Sequence, residues 1–493
     1  MTEITKKQFI GGAFWKIVEQ FSTKGVSMLI SVILARILMP EDYGIIALTA
    51  LFTNLSDVLI DGGFSTALIR KEKVDEYDYG CVFFISMSIA ALLYVILFFA
   101  APFVSAYYSE PIMTTILRVI GLTFFIQGFS STRTAVVTRN MHFKFLFYCN
   151  TTANLISGIA GIIAAYLGMG VWALVIQRLS QQALATLLLF IKIRWKIKWC
   201  FGLQRLNEIL NFSLGVVGSS LLNYLGGSIF SAVIGKQYSV TNLGYYDKGA
   251  QLPMQMSLYT FGSMSSVLLP TISSCQKDLA RVKAIIRKVV KMTAYLIMPM
   301  MLGMMLVSRE LIILLFTEKW LPAVPIMQYS CIYYLATPFM LINVQVFFAL
   351  GRSELRIKTE LLRLGLMISG VLIFGIWLNC GIDLLALVNA IIAILTAMAT
   401  FLEVKKMIHY SGYELLHDVW KPFSATALMG LVIYVADVWI IDPFSTLPIA
   451  SLTVKFIIGA GVYLLLSAGM KMDGYLEIIG ALSKFSYKGK PHE

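Results

Sequence analysis

Residues 11–38 decide the fold, and they read GGAFWKIVEQFSTKGVSMLISVILARIL. The stretch is long and apolar enough to cross a lipid bilayer, which takes about 20 predominantly apolar residues. It also carries four charged residues, Lys16, Glu19, Lys24 and Arg36. A charge inside a membrane is costly and usually faces a protein interior or a water-filled path. The stretch therefore predicts a spanning helix with one polar face.

The composition of the whole chain is that of a polytopic membrane protein. Of its 493 residues, 58% are hydrophobic and only 14% are charged, whereas soluble proteins average about 25% charged residues. The net charge of +13 does not indicate a nucleic-acid partner, because the basic residues lie between apolar runs rather than on one patch. The isolated cysteines and histidines lack metal-ligand spacing, so no metal site is predicted.

The hydrophobic pattern predicts an all-α membrane protein with about fourteen spanning helices. Their approximate ranges are 11–38, 43–65, 79–104, 113–136, 146–167, 171–192, 208–234, 243–270, 289–307, 323–350, 359–379, 383–404, 422–441 and 449–470. With a cytoplasmic N-terminus, most of the 40 Lys and Arg fall in cytoplasmic connections, and only Lys236, Arg309 and Lys319 lie outside. This asymmetry follows the positive-inside rule, so both termini are predicted to be cytoplasmic.

Two segments of the chain repeat with nearly the same offset. The hairpin sequence 36–44 matches 236–244 at an offset of 200, and each copy ends in glycine, while 154–163 matches 366–375 at an offset of 212. Because six predicted helices separate the copies, both enter the membrane in the same orientation. The repeat predicts two parallel six-helix lobes followed by a helix pair. The predicted ranges are 1–195 for the N-lobe, 196–207 for a basic linker, 208–408 for the C-lobe and 409–493 for the last two helices and tail.

Polar residues follow equivalent helices of both predicted lobes. In the first segment Lys16, Gln20 and Lys24 recur every four residues, which places them on one face. Glu19 lies off that face, and the sequence assigns it no role. Lipid offers no partner to such groups, so the polar faces are predicted to line a cavity whose basic bias suits an anionic ligand.

The residues predicted for that cavity fall into three sets. The predicted anion-binding set is Lys16, Gln20, Lys24, Arg118, Arg178 and Lys248, the further polar lining is Gln177, Asn223, Gln251 and Gln255, and the acidic set is Asp57, Asp61 and Asp247. A structural alternative stays open, because Asp57 or Asp61 could pair with a lysine to hold helices together. In the last hairpin, Asp437 and Lys455 are expected to pair with each other.

Four further stretches carry a resemblance to a known family. They are LARILMPEDYGIIAL (34–48), DGGFSTALIRKE (61–72), YYDKGAQLPMQMSLYTFGSMSSVLLPTISSCQKD (245–278) and FTEKWLPAVPIMQ (316–328). Their order and spacing resemble bacterial polysaccharide repeat-unit flippases of the colanic acid and teichuronic acid exporter type. These proteins belong to the multidrug/oligosaccharidyl-lipid/polysaccharide exporter superfamily. The resemblance covers about residues 10–410.

The resemblance implies a two-lobed fold, similar to multidrug exporters and lipid II flippases, that works by alternating access in the bacterial inner membrane. The implied substrate is an undecaprenyl-diphosphate-linked oligosaccharide, with Lys16 and Lys24 holding the diphosphate. It also implies no cofactor beyond coupling to H⁺, Na⁺ or the membrane potential, for which Asp57, Asp61 and Asp247 are the candidates. Membrane lipids, a polysaccharide polymerase and a chain-length regulator are the implied partners.

Two other functions are weighed against this one. A cation-coupled multidrug antiporter usually has twelve helices and an acidic cavity, whereas fourteen helices and a basic bias are predicted here. A membrane polysaccharide polymerase or ligase needs a sizeable external loop with catalytic groups. The predicted external loops are short and carry no histidine.

Overall fold

Helices form the whole architecture of the part of the chain that the structure describes. The structure is a computed structural model, and it describes residues 6–61, 64, 68, 74–140, 142–192, 203–441 and 448–488. Every regular element in these residues is a helix, which confirms the predicted all-α class. The chain forms two compact units, Met1–Gly244 and Tyr245–Glu493. The lobe ranges read from the sequence stay a prediction.

In its described residues, the first unit contains eight helices and the start of a ninth. They are α1 Lys6–Ile37, α2 Pro40–Asp61, α3 Glu76–Tyr108, α4 Ile112–Ile120, α5 Leu122–Arg139, α6 Phe143–Tyr166, α7 Val171–Lys192 and α8 Leu203–Gln237, followed by α9 Val240–Ser274, whose first turn belongs to this unit.

The second unit, as far as its residues are described, contains the rest of α9 and eight further helices. They are α10 Leu279–Leu306, α11 Ser308–Phe316, a 3₁₀ turn Glu318–Ala323, α12 Val324–Ala349, α13 Ser353–Gly370 with a π-helical end Val371–Trp377, α14 Ile382–Ile408, α15 Gly412–Ala436 with a π-helical end Asp437–Ile441, α16 Pro448–Gly469 and α17 Asp473–Lys488.

Eleven helices in the described residues are long and apolar enough to cross a membrane. They confirm a multi-pass membrane protein, and the count of fourteen stays a prediction. The polar-striped helices α1, α8 and α9 are not among the eleven.

Small residues set the close packing of α6 in the first unit. A Cβ added to Gly158 would lie 2.1 Å from Cδ1 of Ile30 on α1, and one added to Gly161 would lie 2.9 Å from Cβ of Gln177 on α7. Membrane helices associate through such small residues because their backbones can then approach closely. Glycines on successive turns of α6 therefore allow close packing against α1 and α7.

Gly44 and Gly244 let the first turns of α2 and α9 touch through their backbones. Each glycine is the fifth residue of its helix. A Cβ on Gly44 would lie 1.8 Å from the carbonyl oxygen of Val240, and one on Gly244 would lie 2.0 Å from that of Pro40. Backbone atoms cannot swing aside as a flexible side chain can, so neither position has room for a side chain. These are the two glycines that end the repeated hairpin sequence.

An ionic cluster ties α15 to α10 in the second unit. The Arg287 guanidinium donates through Nε and Nη2 to the two carboxylate oxygens of Asp418, each at 2.7 Å. The Tyr410 hydroxyl donates to Oδ2 of the same carboxylate at 2.9 Å. Asp418 is 3% exposed, and burial together with this hydrogen bond raises the pKa of Tyr410. The buried carboxylate therefore has three specific donors, as such a group requires.

Candidate functional site

Helix α1 exposes two faces of opposite character. Gln20 and Lys24 are exposed on one face, and Leu29 and Ile33 are 66% and 40% exposed on another. Lys24 and Leu29 are five residues apart, which turns their side chains by about 140° around the helix. Lipid accommodates Leu29, whereas an exposed lysine in a spanning helix requires polar surroundings. The two faces of α1 therefore suit two different environments.

Hydrogen bonds to α6 fix the rotation of α1. The Asn154 amide donates to the Thr23 carbonyl at 2.9 Å and to Oγ of Ser27 at 2.7 Å. One turn earlier, the Asn150 amide donates to Oε1 of Glu19 at 3.0 Å. Glu19 is 7% exposed. The hydrogen bond from Asn150 gives Glu19, to which the sequence assigns no role, a partner on α6. Together these contacts hold the face with Lys24 away from α6.

Two predicted site residues on α2 and α7 lie near each other. Nη2 of Arg178 donates to Oγ1 of Thr53 at 2.9 Å and to Oδ1 of Asn54 at 3.3 Å. Asp57, one helical turn further along α2, is close enough to interact electrostatically with Arg178. Gln177 is the neighbour of Arg178 on α7. The first unit thus brings a predicted anion-binding residue next to a predicted ion-coupling residue.

Arg118, another predicted anion-binding residue, contacts the Phe98 backbone and ring. Its Nε donates to the carbonyl oxygen of Phe98 at 3.3 Å, and its guanidinium lies 4.2 Å from the centroid of the Phe98 ring. Such stacking on an aromatic ring is a favourable environment for a guanidinium. Arg118 therefore joins α4 to α3, and its described contacts include none of the other predicted site residues.

The second unit holds the predicted residues of α9. Lys248 is 3% exposed, and its Nζ donates to Oε1 of Gln251 at 3.0 Å. The same ammonium lies 5.6 Å from the Phe316 ring centroid. Gln255 follows one turn after Gln251, and its Oε1 is buried without a hydrogen-bond partner among the described residues. Lys248, Gln251 and Gln255 thus form a polar row along α9.

Some predicted side chains cannot be placed from the structure. Those of Lys16, Asp61 and Asn223 lie outside the described part. Asp247 is described and exposed, next to buried Lys248.

A buried ionic row on α13 is not among the residues predicted from the sequence. Glu360 is 6% exposed, and it pairs with Arg356 at 3.2 Å and with Nε of Arg363 at 3.0 Å. The spacing of four and then three residues in RIKTELLR indicates one helix face. The spacing of these charges in the sequence is therefore sufficient to predict the ionic row.

The family match covers more than half of the chain. Residues 33–325 match the family described as polysaccharide biosynthesis protein. Among curated proteins, the chain is 24% identical over 442 residues to the teichuronic acid biosynthesis protein TuaB of Bacillus subtilis (strain 168), covering 88% of this chain and 90% of TuaB. It is also 24% identical over 316 residues to the succinoglycan biosynthesis transport protein ExoT of Rhizobium meliloti (strain 1021), covering 64% and 63%.

The fold has a clear counterpart among solved structures. The lipid II flippase MurJ in its inward closed conformation matches with a TM-score of 0.76 and 18% identity, covering 94% of this chain and 99% of MurJ. The fold class expected from the sequence motifs, that of lipid II flippases, is confirmed. So is the resemblance to polysaccharide repeat-unit flippases. From its match over residues 33–325, the chain belongs to the polysaccharide biosynthesis protein family.

Proposed function

We propose that the chain is a flippase for undecaprenyl-diphosphate-linked oligosaccharide repeat units. It would move them from the cytoplasmic to the outer face of the bacterial inner membrane for assembly into a surface polysaccharide. Family membership and the names of relatives, among them a succinoglycan biosynthesis transport protein, support a transporter rather than an enzyme. Alternating access is the mechanism that we propose for it.

The observation that carries this proposal is the exposure of Lys24 on α1, a helix whose other exposed face is apolar. Lys24 and Gln20 share one exposed face of α1, opposite the lipid-suited face with Leu29. An ammonium is a compact charge that binds phosphate well, and the amide of Gln20 adds hydrogen-bond donors beside it. Lys16 belongs to the same row by its spacing. This row is the proposed binding site for the diphosphate.

Arg178 is the second proposed contact to the diphosphate. The hydrogen bonds that Thr53 and Asn54 accept engage one of its terminal nitrogens, and a guanidinium has five N–H donors in all. Asp57 lies near the Arg178 guanidinium, so an arriving phosphate would compete with Asp57 for that guanidinium. Protonation or Na⁺ binding at Asp57 would reduce that competition. Asp57, Asp61 and Asp247 therefore remain the proposed coupling residues, with the membrane potential as a further driving force.

The proposal also includes the setting of the protein in its membrane. Both termini would be cytoplasmic, and the released repeat units would pass to a polysaccharide polymerase and its chain-length regulator. Membrane lipids would surround the apolar helix faces.

The proposal is tested by lipid analysis of a deletion strain. We expect the strain to accumulate undecaprenyl-linked repeat units on the cytoplasmic leaflet and to lose the surface polymer, with both effects reversed by the intact gene. Repeat units that reach the outer leaflet in the deletion strain but stay unpolymerised would instead identify a polymerase. Normal polymer together with increased drug sensitivity would favour a drug antiporter.

Lys24→Gln examines the proposed phosphate contact. A hydrogen bond to a charged group is worth about 1.5–3 kcal/mol, so we expect polymer export to fall at least about tenfold. Lys24→Arg, which keeps the charge, should retain most of the export. The matched control is Lys358→Ala, which removes a 72% exposed lysine and should leave export unchanged. Normal export by Lys24→Gln at an equal protein level would refute the proposed contact.

A further inference from the structure

A basic pocket lies between α10 and α17 in the second unit. Its volume is about 460 Å³, and its charged lining consists of Arg287, Lys288 and Lys291 from α10 with Asp473 and Glu477 from α17. Clefts of about 300–1,000 Å³ commonly hold small ligands. Among its described lining residues, none belongs to the set predicted for the anion-binding cavity. The basic pocket is therefore a separate site.

Two contacts hold the start of α17 against α10 beside the basic pocket. Nζ of Lys291 lies 2.7 Å from Oδ2 of Asp473, the first residue of α17. Gly474 packs closely on α10, because an added Cβ would lie 2.6 Å from Cγ of the Tyr295 ring. These contacts fix the first turn of α17, so the two walls of the pocket keep their relative positions.

The basic pocket lies where three helices reach one boundary of the membrane. Lys291 is the last charged residue of α10, and fifteen uncharged residues follow it to the end of that helix. Lys421 is the last charged residue of α15 before its π-helical end, and its Nζ donates to the carbonyl oxygen of Met470 at 2.9 Å, just after α16 ends at Gly469. Because charges are costly inside hydrocarbon, these residues indicate the headgroup level. The positive-inside rule assigns this boundary to the cytoplasm.

The surface around the basic pocket carries more cations than carboxylates. The charged residues of α10 from position 283 onward, of α15 and of residues 470–477 are the cations Lys283, Arg287, Lys288, Lys291, Lys421 and Lys471 and the carboxylates Glu414, Asp418, Asp473 and Glu477. Lys421 and Lys471 form no ion pair within the described part of the chain. The surface thus has an excess of two positive charges, which favours an anionic ligand.

Lys288 is the cation of the basic pocket that a ligand reaches most easily. Its side chain is 67% exposed, and its Nζ lies 2.9 Å from Oε1 of Glu477, which is 43% exposed. Exposed ion pairs of this kind contribute little to stability, and an ammonium has three N–H donors. A phosphate can therefore bind Lys288 in competition with Glu477, and Lys291 lies one turn further along α10.

Apolar side chains adjoin the cations of the basic pocket. Met292 and Leu476 belong to its lining, and Leu476 is 53% exposed. Ile479, one turn further along α17, is 45% exposed. A free phosphate would leave these side chains in water, whereas a phospholipid supplies both a phosphate and acyl chains. Basic pockets at the cytoplasmic ends of spanning helices are typical sites for anionic lipid headgroups.

We propose that the basic pocket binds one anionic phospholipid of the leaflet on the predicted cytoplasmic side. The phosphodiester contacts the ammonium groups of Lys288 and Lys291, and the acyl chains lie against Met292 and Leu476. Glu477 competes with the phosphate for Lys288. This lipid is a resident ligand and not the transported one, so the site does not depend on the proposed flippase activity.

Lipid binding by the purified full chain in detergent tests this site. Native mass spectrometry in equal amounts of phosphatidylglycerol and phosphatidylcholine with identical acyl chains should show one phosphatidylglycerol retained in preference. Lys288→Gln should raise the Kd for phosphatidylglycerol about fivefold, as expected for one lysine near an anionic lipid, and should leave phosphatidylcholine unaffected. Glu477→Gln should lower this Kd, because it removes the competing carboxylate. A variant that merely misfolds would not gain affinity.

A paired lysine outside the basic pocket provides the matched control. Lys358→Gln removes a lysine that is 72% exposed and lies 3.7 Å from Glu403, and it should leave the Kd unchanged. Equal retention of the two lipids by the wild type would overturn the proposal. Weaker binding by Glu477→Gln, or an unchanged Kd for Lys288→Gln, would also contradict it. Displacement of phosphatidylglycerol by an equal concentration of inorganic phosphate would identify a free-anion site instead and refute the lipid assignment.

Discussion

Individual side chains in α1 show how far sequence reasoning extends. Helical spacing alone places Gln20 and Lys24 on one face, and both are exposed in the structure. The role of Glu19 could not be predicted in this way, because its hydrogen-bond partner Asn150 is 131 residues away. Periodicity reports which residues share a face, whereas the identity of the opposing helix depends on the tertiary fold.

Gly44→Ala tests the close backbone contact between α2 and α9. The new methyl group would meet the Val240 carbonyl, a backbone atom only 1.8 Å away, and inserting a methyl into such a packed site typically costs about 1–3 kcal/mol. We expect a lower thermal unfolding midpoint in detergent. Gly365→Ala is the control, because nothing lies within 4 Å of the added Cβ. Equal midpoints for the two variants would refute the close backbone contact.

At the scale of helices, a buried ionic contact joins the first half of α15 to α10. The Asp418 carboxylate receives hydrogen bonds from Arg287 and Tyr410. Lys291 bridges further to Asp473 at the start of α17, at 2.7 Å. The sequence predicts the helices at 289–307 and 422–441, but it gives no means of pairing their charged ends. From the sequence, the basic residues among them indicate topology alone.

Asp418→Asn tests this helix contact. The amide keeps the shape but leaves the Arg287 guanidinium with only the more distant Glu414 carboxylate, at 3.5 Å, and a lost hydrogen bond to a charged group costs about 1.5–3 kcal/mol. We expect earlier unfolding and faster protease cleavage near residue 410. Glu354→Gln changes an exposed acid that is 59% accessible and should have little effect, as is typical of surface ion pairs. Unchanged proteolysis of Asp418→Asn would show that the ionic cluster does not hold α15 in place.

For the whole molecule, the sequence was most informative where a pattern extends over many residues. Long apolar segments and the distribution of Lys and Arg predict a multi-pass helical membrane protein, and the structure and family confirm it. The buried ionic groups were less predictable. Glu310 reaches Lys455 across 145 residues, and such pairs depend on which helices become neighbours.

Cysteine labelling tests the predicted orientation of the whole chain. In a background whose six native cysteines are replaced by serine, Lys236→Cys and Lys319→Cys should react with a membrane-impermeant maleimide added to intact spheroplasts, because both positions are predicted to be external. Lys358→Cys, at a position 72% exposed, should react only after the membrane is opened, because it is predicted to be cytoplasmic. The opposite labelling pattern would invert the topology, and labelling of all three from outside would indicate a wrong helix count.

The backbone contact between Gly44 and Gly244 also has a consequence during synthesis. The two glycines meet within the first unit, yet 200 residues separate them in the chain. At about 5–20 residues per second, the ribosome needs about 10–40 s to make the second glycine after the first. Throughout that interval the start of α2 is present in the membrane without its neighbour. The first unit is therefore complete only after the start of α9 has been made, and until then the start of α2 lacks its packing partner.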